Sequence, residues 1–345
     1  MTGLGAVTPI GADAPSTWRA AVAGESGIDF IRSFDASEFP VRIAAEVKDF
    51  DPTQVASSKE TRKLDRNVLL SLGAAREAVA DAQLDGAYSP DRVGILFGTA
   101  IGGFNSILQQ YDVLRERGPS RVAPTFLPNI LVDTASGQLA IALGFRGPNY
   151  APVSACATGS TAIGEAAEVI KRGDADAVLA GGAEACLNPL VLAGFCAMRG
   201  LAAEDEDPPR ASRPFDATRA GFVMGEGACA FVLEELEAAE RRGATIYGEI
   251  LGYGMSNDAH SLAQPDPESV GVAEMNCGFR APEVVVIFVE ERRHQAVIHR
   301  HIDQGQRASI FGKGAALFIG DLAGDLIEHQ SRRGCRIKDR HISPT

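Results

Sequence analysis

With 345 residues, 45% of them hydrophobic and 23% charged, the chain is long enough to bury a large core, as one α/β unit or as two packed halves. A formal net charge of −12 argues against nucleic acid as a general partner, because phosphate binding calls for a basic surface. No apolar run reaches the roughly 18 residues of a membrane span, and the opening MTGLGAVTPIG lacks the basic and apolar regions of a signal peptide. The expectation is a cytoplasmic protein without a membrane segment.

In chain order, the first glycine-rich stretch, TGLGAVTPIG, lacks the spacing of a dinucleotide fingerprint and reads as a turn. Arg66 to Leu84 reads as an amphipathic helix, with Leu69, Leu72, Ala75, Val79 and Leu84 near one face. Val93 to Phe97 is a continuous apolar strand that runs into GTAIGGF, a glycine-rich turn. Helical IALG follows, then RGPNYAPVSA as loop and strand, and a helix from about Thr158 to Arg172 closed by Gly173. AVLAGG is a buried strand, EDEDPPRASRP a surface loop, and GACAFVLEE, ELEAAERRG and IYGEILGYGMS continue the alternation of strand and helix. Short apolar strands between helices predict an α/β fold with parallel pairing and helices on both faces.

Composition changes near Asn276, beyond which five of the six histidines fall, in an arginine-rich stretch. His299-Arg300-His301 has no further ligand pattern around it, so no metal site is expected. The six cysteines, at 156, 186, 196, 229, 277 and 335, form no C-x-x-C pair and fit neither a zinc site nor a disulfide framework.

Most free cysteines are small buried hydrophobes, and Cys186, Cys196 and Cys229 sit in surroundings of that kind. Cys156 differs. A strand runs into a turn there and a helix starts within two residues, so the thiol meets unpaired backbone N–H groups and the positive end of a helix dipole, which favour an anion. The small neighbours Ser154, Ala155, Ala157, Gly159 and Ser160 permit a sharp turn and close approach of a substrate. This is the logic of a nucleophile elbow with sulfur as the attacking atom.

Four longer stretches, GPNYAPVSACATGS, GDADAVLAGGAEA, SRPFDATRAGFVMGEGA and LGYGMSNDAHSLAQPDPES, resemble the β-ketoacyl-acyl-carrier-protein synthases of the condensing-enzyme family, and the synthase II type most of all. The resemblance runs from Thr2 to about Met275, with the motifs in the family's order. It implies a thiolase-like layered fold (α-β-α-β-α) of two similar halves, a homodimer, an acyl carrier protein as partner, and no cofactor. It further implies an acyltransferase of fatty-acid elongation. Cys156 would take the acyl group as a thioester, malonyl-carrier protein would lose carbon dioxide, and the carbanion would attack the acyl-cysteine to give a 3-oxoacyl product.

By the same resemblance, the backbone N–H of Cys156 supplies one oxyanion donor, Ile101 and Phe195 line the acyl tunnel, and Phe222 borders the malonyl side. For each of these apolar residues plain core packing is the competing explanation. An acidic carrier needs a basic landing site on this acidic chain. Lys59, Arg62, Lys63 and Arg66 fall at i, i+3, i+4 and i+7, so a helix would align all four, and the matching segment of the family helps dock the carrier.

The family's second-half motifs, H-G-T-x-T, K-x-x-x-G-H and G-F-G-G-H-N, do not occur, and Ala220 stands where R-D-G-F has aspartate. Residues 1–275 therefore read as the ketosynthase N-terminal region, meaning the first half and the start of the second. Residues 276–345 read as a non-matching tail, frameshifted or disordered, with the second half incomplete or replaced. None of the tail histidines matches a vacant role. Two other readings stand beside the synthase: a non-catalytic subunit that docks carrier protein or pairs with a complete synthase, and thiolase-type acyl transfer on coenzyme A. The RPFD and MGEG motifs disfavour the last.

Overall fold

The computed structural model describes residues 1–203 and 206–255 together with positions 257, 259–261 and 267. The regular elements are, in order, β1 (Gly3–Val7), α1 (Ala14–Val22), β2 (Ile28–Phe30), β3 (Ile43–Ala45), α2 (Arg66–Asp81), β4 (Val93–Gly98), α3 (Phe104–Arg117), α4 (Phe126–Ile130), α5 (Thr134–Leu143), β5 (Asn149–Tyr150), α6 (Thr158–Lys171), β6 (Ala177–Glu184), α7 (Pro189–Ala197), β7 (Gly227–Glu234) and α8 (Leu236–Arg241). The anticipated tail, residues 276–345, lies outside the described residues.

One five-stranded sheet, ordered β1-β7-β6-β4-β5, organises the molecule, and β2 pairs with β3 in a separate ribbon. Strands β4, β5 and β6 are parallel, as the alternating pattern predicts. The purely parallel expectation fails at β7, which runs antiparallel to both β1 and β6. A parallel neighbour needs a crossover that packs back over the sheet. Residues 185–226 instead leave β6 at its carboxyl end, where α7 joins a separate apolar cluster, and re-enter the sheet at that same end.

The strands are apolar on both sides because both faces are covered. Val93, Ile95, Phe97, Leu179, Ala230 and Val232 face a core that α2 enters with Val68, Leu72, Ala75 and Val79 and α5 with Leu139. Leu96, Val178, Ala180 and Leu233 face the other way, onto Ala166 and Val169 of α6. Each fully buried Leu, Ile or Phe adds about 1.5–3 kcal/mol. The described residues thus form an α-β-α stack around one sheet. α2 starts where the side chain of Asp65 accepts from the Asn67 N–H and ends at Asp81, so Leu84 packs into the core from beyond the helix. The IYGEILGYGMS stretch carries no regular element among its described residues.

Two details fix the sheet's margin, where TGLGAVTPIG, expected as a turn, instead forms the edge strand β1 because Gly3–Val7 pairs with the distant Ala228–Val232. β1 lies so close to α2 that a Cβ on Gly5 would sit 1.9 Å from the Ala74 carbonyl oxygen, which only glycine avoids. The outward N–H groups of this edge strand are taken up by α2: Leu4 donates to Asp81 and Ala6 to Glu77, both at 2.9 Å. A capped edge offers no template for further pairing.

Candidate functional site at the carboxyl end of the parallel strands

Ligands of parallel sheets gather outside the carboxyl ends of the strands, and the sequence-selected residues converge there. β4 ends at Gly98, and β5 leads into the turn that carries Cys156. The thiol lies in a single 3-10 turn, Ala155–Ala157, directly ahead of α6, and is exposed. Ala155 holds φ at +50°, a left-handed conformation that a non-glycine residue adopts only when its surroundings enforce it. The enforcement is local. The Ser154 N–H donates to Thr158 Oγ1 at 2.9 Å, Ser154 Oγ lies 2.7 Å from Thr161 Oγ1, and the Ala157 N–H reaches Ser154 O at 3.0 Å. The turn presses on β4 closely enough that a Cβ at Gly98 would fall 2.3 Å from Thr158 Cγ2 and 2.4 Å from Pro152 O.

Among the other described cysteines, Cys186 is buried, and desolvation together with nearby Glu184 pushes its thiol up to about 12. Cys229, expected in the core, is instead exposed on β7, although partial desolvation and nearby Glu77 still raise its thiol. Both are held as neutral thiols. Cys156 is the exposed cysteine at a helix start.

Ile101 lies in the loop between β4 and α3 and packs, with Phe195 of α7, against the apolar cluster of Ile43, Leu192, Leu201 and Met224. Phe222 approaches from the segment leading into β7, its ring 5.3 Å from that of Phe195 and edge-on at 89°. Its backbone is pinned on both sides, by Phe222 N–H to Gly200 O at 3.0 Å and Ala202 N–H to Phe222 O at 2.9 Å. Because Gly227, the first residue of β7, pairs with Glu184, the last of β6, all three apolar residues collect at the end of the sheet that holds the Cys156 turn.

The basic segment departs from its expected form. Residues 58–64 form hydrogen-bonded turns, and Lys59, Arg62 and Lys63 are exposed but do not share a helix face with Arg66. Asp65 is the reason. One of its oxygens caps the Asn67 N–H, and the other takes the Ser106 N–H at 2.9 Å and Ser106 Oγ at 2.7 Å, so the helix starts after it. Arg66 is committed elsewhere. Its Nε and Nη2 donate to the Glu226 carboxylate at 2.8 and 2.6 Å and Nη2 also to Val47 O at 3.0 Å, which raises its pKa through the Glu226 bonds.

Sequence reasoning missed two carboxylates here. Glu226, in MGEG, has a side chain only 5% exposed and also accepts the Val47 N–H at 2.9 Å. Glu184 closes β6 and accepts from the Thr99, Ala100 and Ile101 region. In each case the available signal was an acid at the margin of an apolar strand.

A single sheet between helix layers, with an exposed cysteine on a strained turn before a helix at the carboxyl end of its parallel strands, is the arrangement of an α/β protein of the thiolase-like ketosynthase class. The chain belongs to the beta-ketoacyl synthase family, whose N-terminal domain matches residues 1–239. Among its relatives, the 3-oxoacyl-[acyl-carrier-protein] synthase 2 of Coxiella burnetii is 46% identical over 272 residues, covering 79% of this chain and 66% of the relative. The protein of the same name from Staphylococcus aureus is also 46% identical over 272 residues, covering 79% of this chain and 67% of its own. A beta-ketoacyl synthase from Burkholderia phymatum superposes with a TM-score of 0.71 at 33% identity, over 78% of this chain and 66% of that one. A type II PKS ketosynthase, solved with its acyl-carrier protein and bound to the hexaketide, gives 0.71 at 27% identity, over 80% and 67%. The chain thus spans about two thirds of the length of the curated relatives it matches. Among the described residues, no helix is long and apolar enough to cross a membrane.

Proposed function

We propose that the chain is a cytoplasmic acyltransferase of fatty-acid elongation whose Cys156 receives an acyl group from acyl carrier protein. The sulfur attacks the thioester carbonyl, a new carbon–sulfur bond forms at Cys156, and the carrier's thiol leaves with a proton. The Cys156 N–H, at the head of α6, is one donor to the tetrahedral oxyanion. Ile101, Phe195 and Phe222 form the apolar wall along the acyl chain and the malonyl side. Loss of carbon dioxide from malonyl-carrier protein then supplies the carbanion that condenses to the 3-oxoacyl product. The observation that carries this reading is the exposed Cys156 on the Ala155 turn with φ at +50°, directly before α6.

Lys59, Arg62 and Lys63 are the carrier's landing site, at the same end of the molecule as the cysteine. Arg66 contributes there by fixing Glu226 and not as a free charge. The active assembly is a homodimer, with residues 1–275 as the ketosynthase region and 276–345 as a tail of different origin. The absence of H-G-T-x-T, K-x-x-x-G-H and G-F-G-G-H-N from the sequence favours a synthase that loads but condenses poorly. Each missing acid–base or oxyanion group lowers the rate by roughly 10²- to 10⁴-fold.

Incubation with acyl-carrier protein, read by intact-protein and peptide mass spectrometry, tests the assignment. An acyl adduct on Cys156, abolished in Cys156→Ala, is the expected result. Adduct without a 3-oxo product after addition of malonyl-carrier protein marks the impaired synthase. No adduct, with carrier binding retained, replaces it by the second reading, a non-catalytic docking or dimer-partner subunit.

A further inference from the structure

β6 is apolar or glycine from Ala177 to Ala183, yet it ends on a carboxylate that no ion pair accompanies among the described residues. Glu184 accepts the Ala100 N–H at 2.9 Å, the Ile101 N–H at 3.3 Å and the Thr99 hydroxyl at 3.2 Å. The Gly102 N–H in turn donates to Thr99 Oγ1 at 3.2 Å, so four consecutive residues hang from one acid. Nearby, Asn105 Nδ2 donates to Ala185 O at 2.7 Å and Asn188 Nδ2 to Asn105 Oδ1 at 3.1 Å, which stitches the far side of the loop to the strand end.

The end of this loop, Gly102–Gly103, is packed against Asn129 and Ile130, whereas the Thr99–Ile101 part is tied to the sheet through Glu184. Burial, the largest influence on Glu184, raises its pKa against the pull of those donors, and a neutral residue would avoid that cost. The three donors all belong to the loop that carries Ile101, and Ile101 packs against the same apolar cluster as Phe195.

We propose that Glu184 is a positioning residue that fixes Ile101 at the acyl wall and thereby sets which acyl chain lengths reach Cys156. This rests on the acyl-transfer reading above. Releasing the loop lets the Ile101 side chain withdraw, and a wall that yields no longer discriminates by length. One methylene against a fixed apolar wall is worth roughly 10-fold or more in selectivity.

The test uses the full chain and two readouts. Amide hydrogen exchange at residues 100–102 reports the anchor without reference to activity; Glu184→Gln should quicken it roughly tenfold, as expected for loss of bonds to a charged acceptor. Acyl loading of Cys156 from carrier protein bearing short to long chains reports selectivity. Glu184→Gln should flatten the length profile, and it should add nothing in an Ile101→Ala background, where the side chain it positions is gone. If Glu184→Gln fails to fold, Thr99→Val, which removes one link of the same anchor, should give a smaller change in both readouts. Unchanged exchange, an unmoved profile, or an equal effect in the Ile101→Ala background overturns the proposal while leaving the cysteine's role intact. Absence of any adduct on the unsubstituted protein removes the acyl-transfer reading and this inference with it.

Discussion

Arg66 separates a structural from a docking role, and substituting it with alanine has a calculable effect. Its guanidinium makes two charged hydrogen bonds to Glu226, at 2.8 and 2.6 Å, and one to Val47 O at 3.0 Å. Arg66→Ala leaves the Glu226 carboxylate, only 5% exposed, with the single Val47 N–H as donor. Breaking a buried pair from one side costs about 3–5 kcal/mol. The Arg66 side chain is itself 39% exposed, so water screens part of the pair and the lower end, about 3 kcal/mol, applies. For a folded region of this size that corresponds to a fall of roughly 6–12 °C in melting temperature. The assay is thermal unfolding of Arg66→Ala beside the Arg62→Glu, Lys63→Glu double variant. The first should melt early. The second should melt with the unsubstituted protein but bind carrier protein more weakly at low salt. Adding Glu226→Gln to Arg66→Ala should recover part of the loss, because a neutral amide is cheaper to bury. A melting point for Arg66→Ala within a degree of the unsubstituted protein would refute the structural role, and unchanged carrier affinity in the charge-reversed variant would remove the landing site.

Two further outcomes follow from other residues. Burial favours the neutral acid at Glu234, but bonds from Arg242, Thr2 and Tyr88 outweigh it and hold the carboxyl below its usual 4.5. Its stabilisation is therefore present above that value and lost as pH falls through the lowered one. Glu234→Gln should cost about 2 kcal/mol at neutral pH, a deficit that shrinks in denaturant titrations below about pH 4.5 and whose persistence at pH 3 would contradict the sign. Gly98→Ala would push a methyl into Thr158 Cγ2 and Pro152 O, at 2.3 and 2.4 Å. Acyl loading of Cys156 should fall severalfold while the fold survives, and loading at the full rate would show that the turn does not depend on β4.

The Cys156 turn was legible because its signal is local: a strand, small residues and a helix start all lie within a few positions. The same holds for α2, α6, β4 and β6, whose apolar patterns and closing residues are contiguous. The helix anticipated over Lys59–Arg66 failed because a charge period records only where side chains would point if a helix formed. Asp65 stops it by bonding to Ser106, forty-one residues away, which no window around Asp65 contains. The bond between Arg66, expected among the docking cations, and Glu226 was hidden for a similar reason, since that partner lies 160 residues on.

The sequence by itself determined the long helices α2 and α6, the apolar strands β4 and β6, which cysteine stands at a helix start, and which family the motifs belong to. These depend on short-range sterics, capping and hydrophobic period, all carried by neighbouring residues. Only the tertiary structure decided that β7 runs antiparallel, that Ile101, Phe195 and Phe222 gather at one end of the sheet, and that Glu184 and Glu226 are bound inside it. Strand direction and the partner of a buried charge are set by which distant backbone groups the folded chain brings within hydrogen-bonding reach.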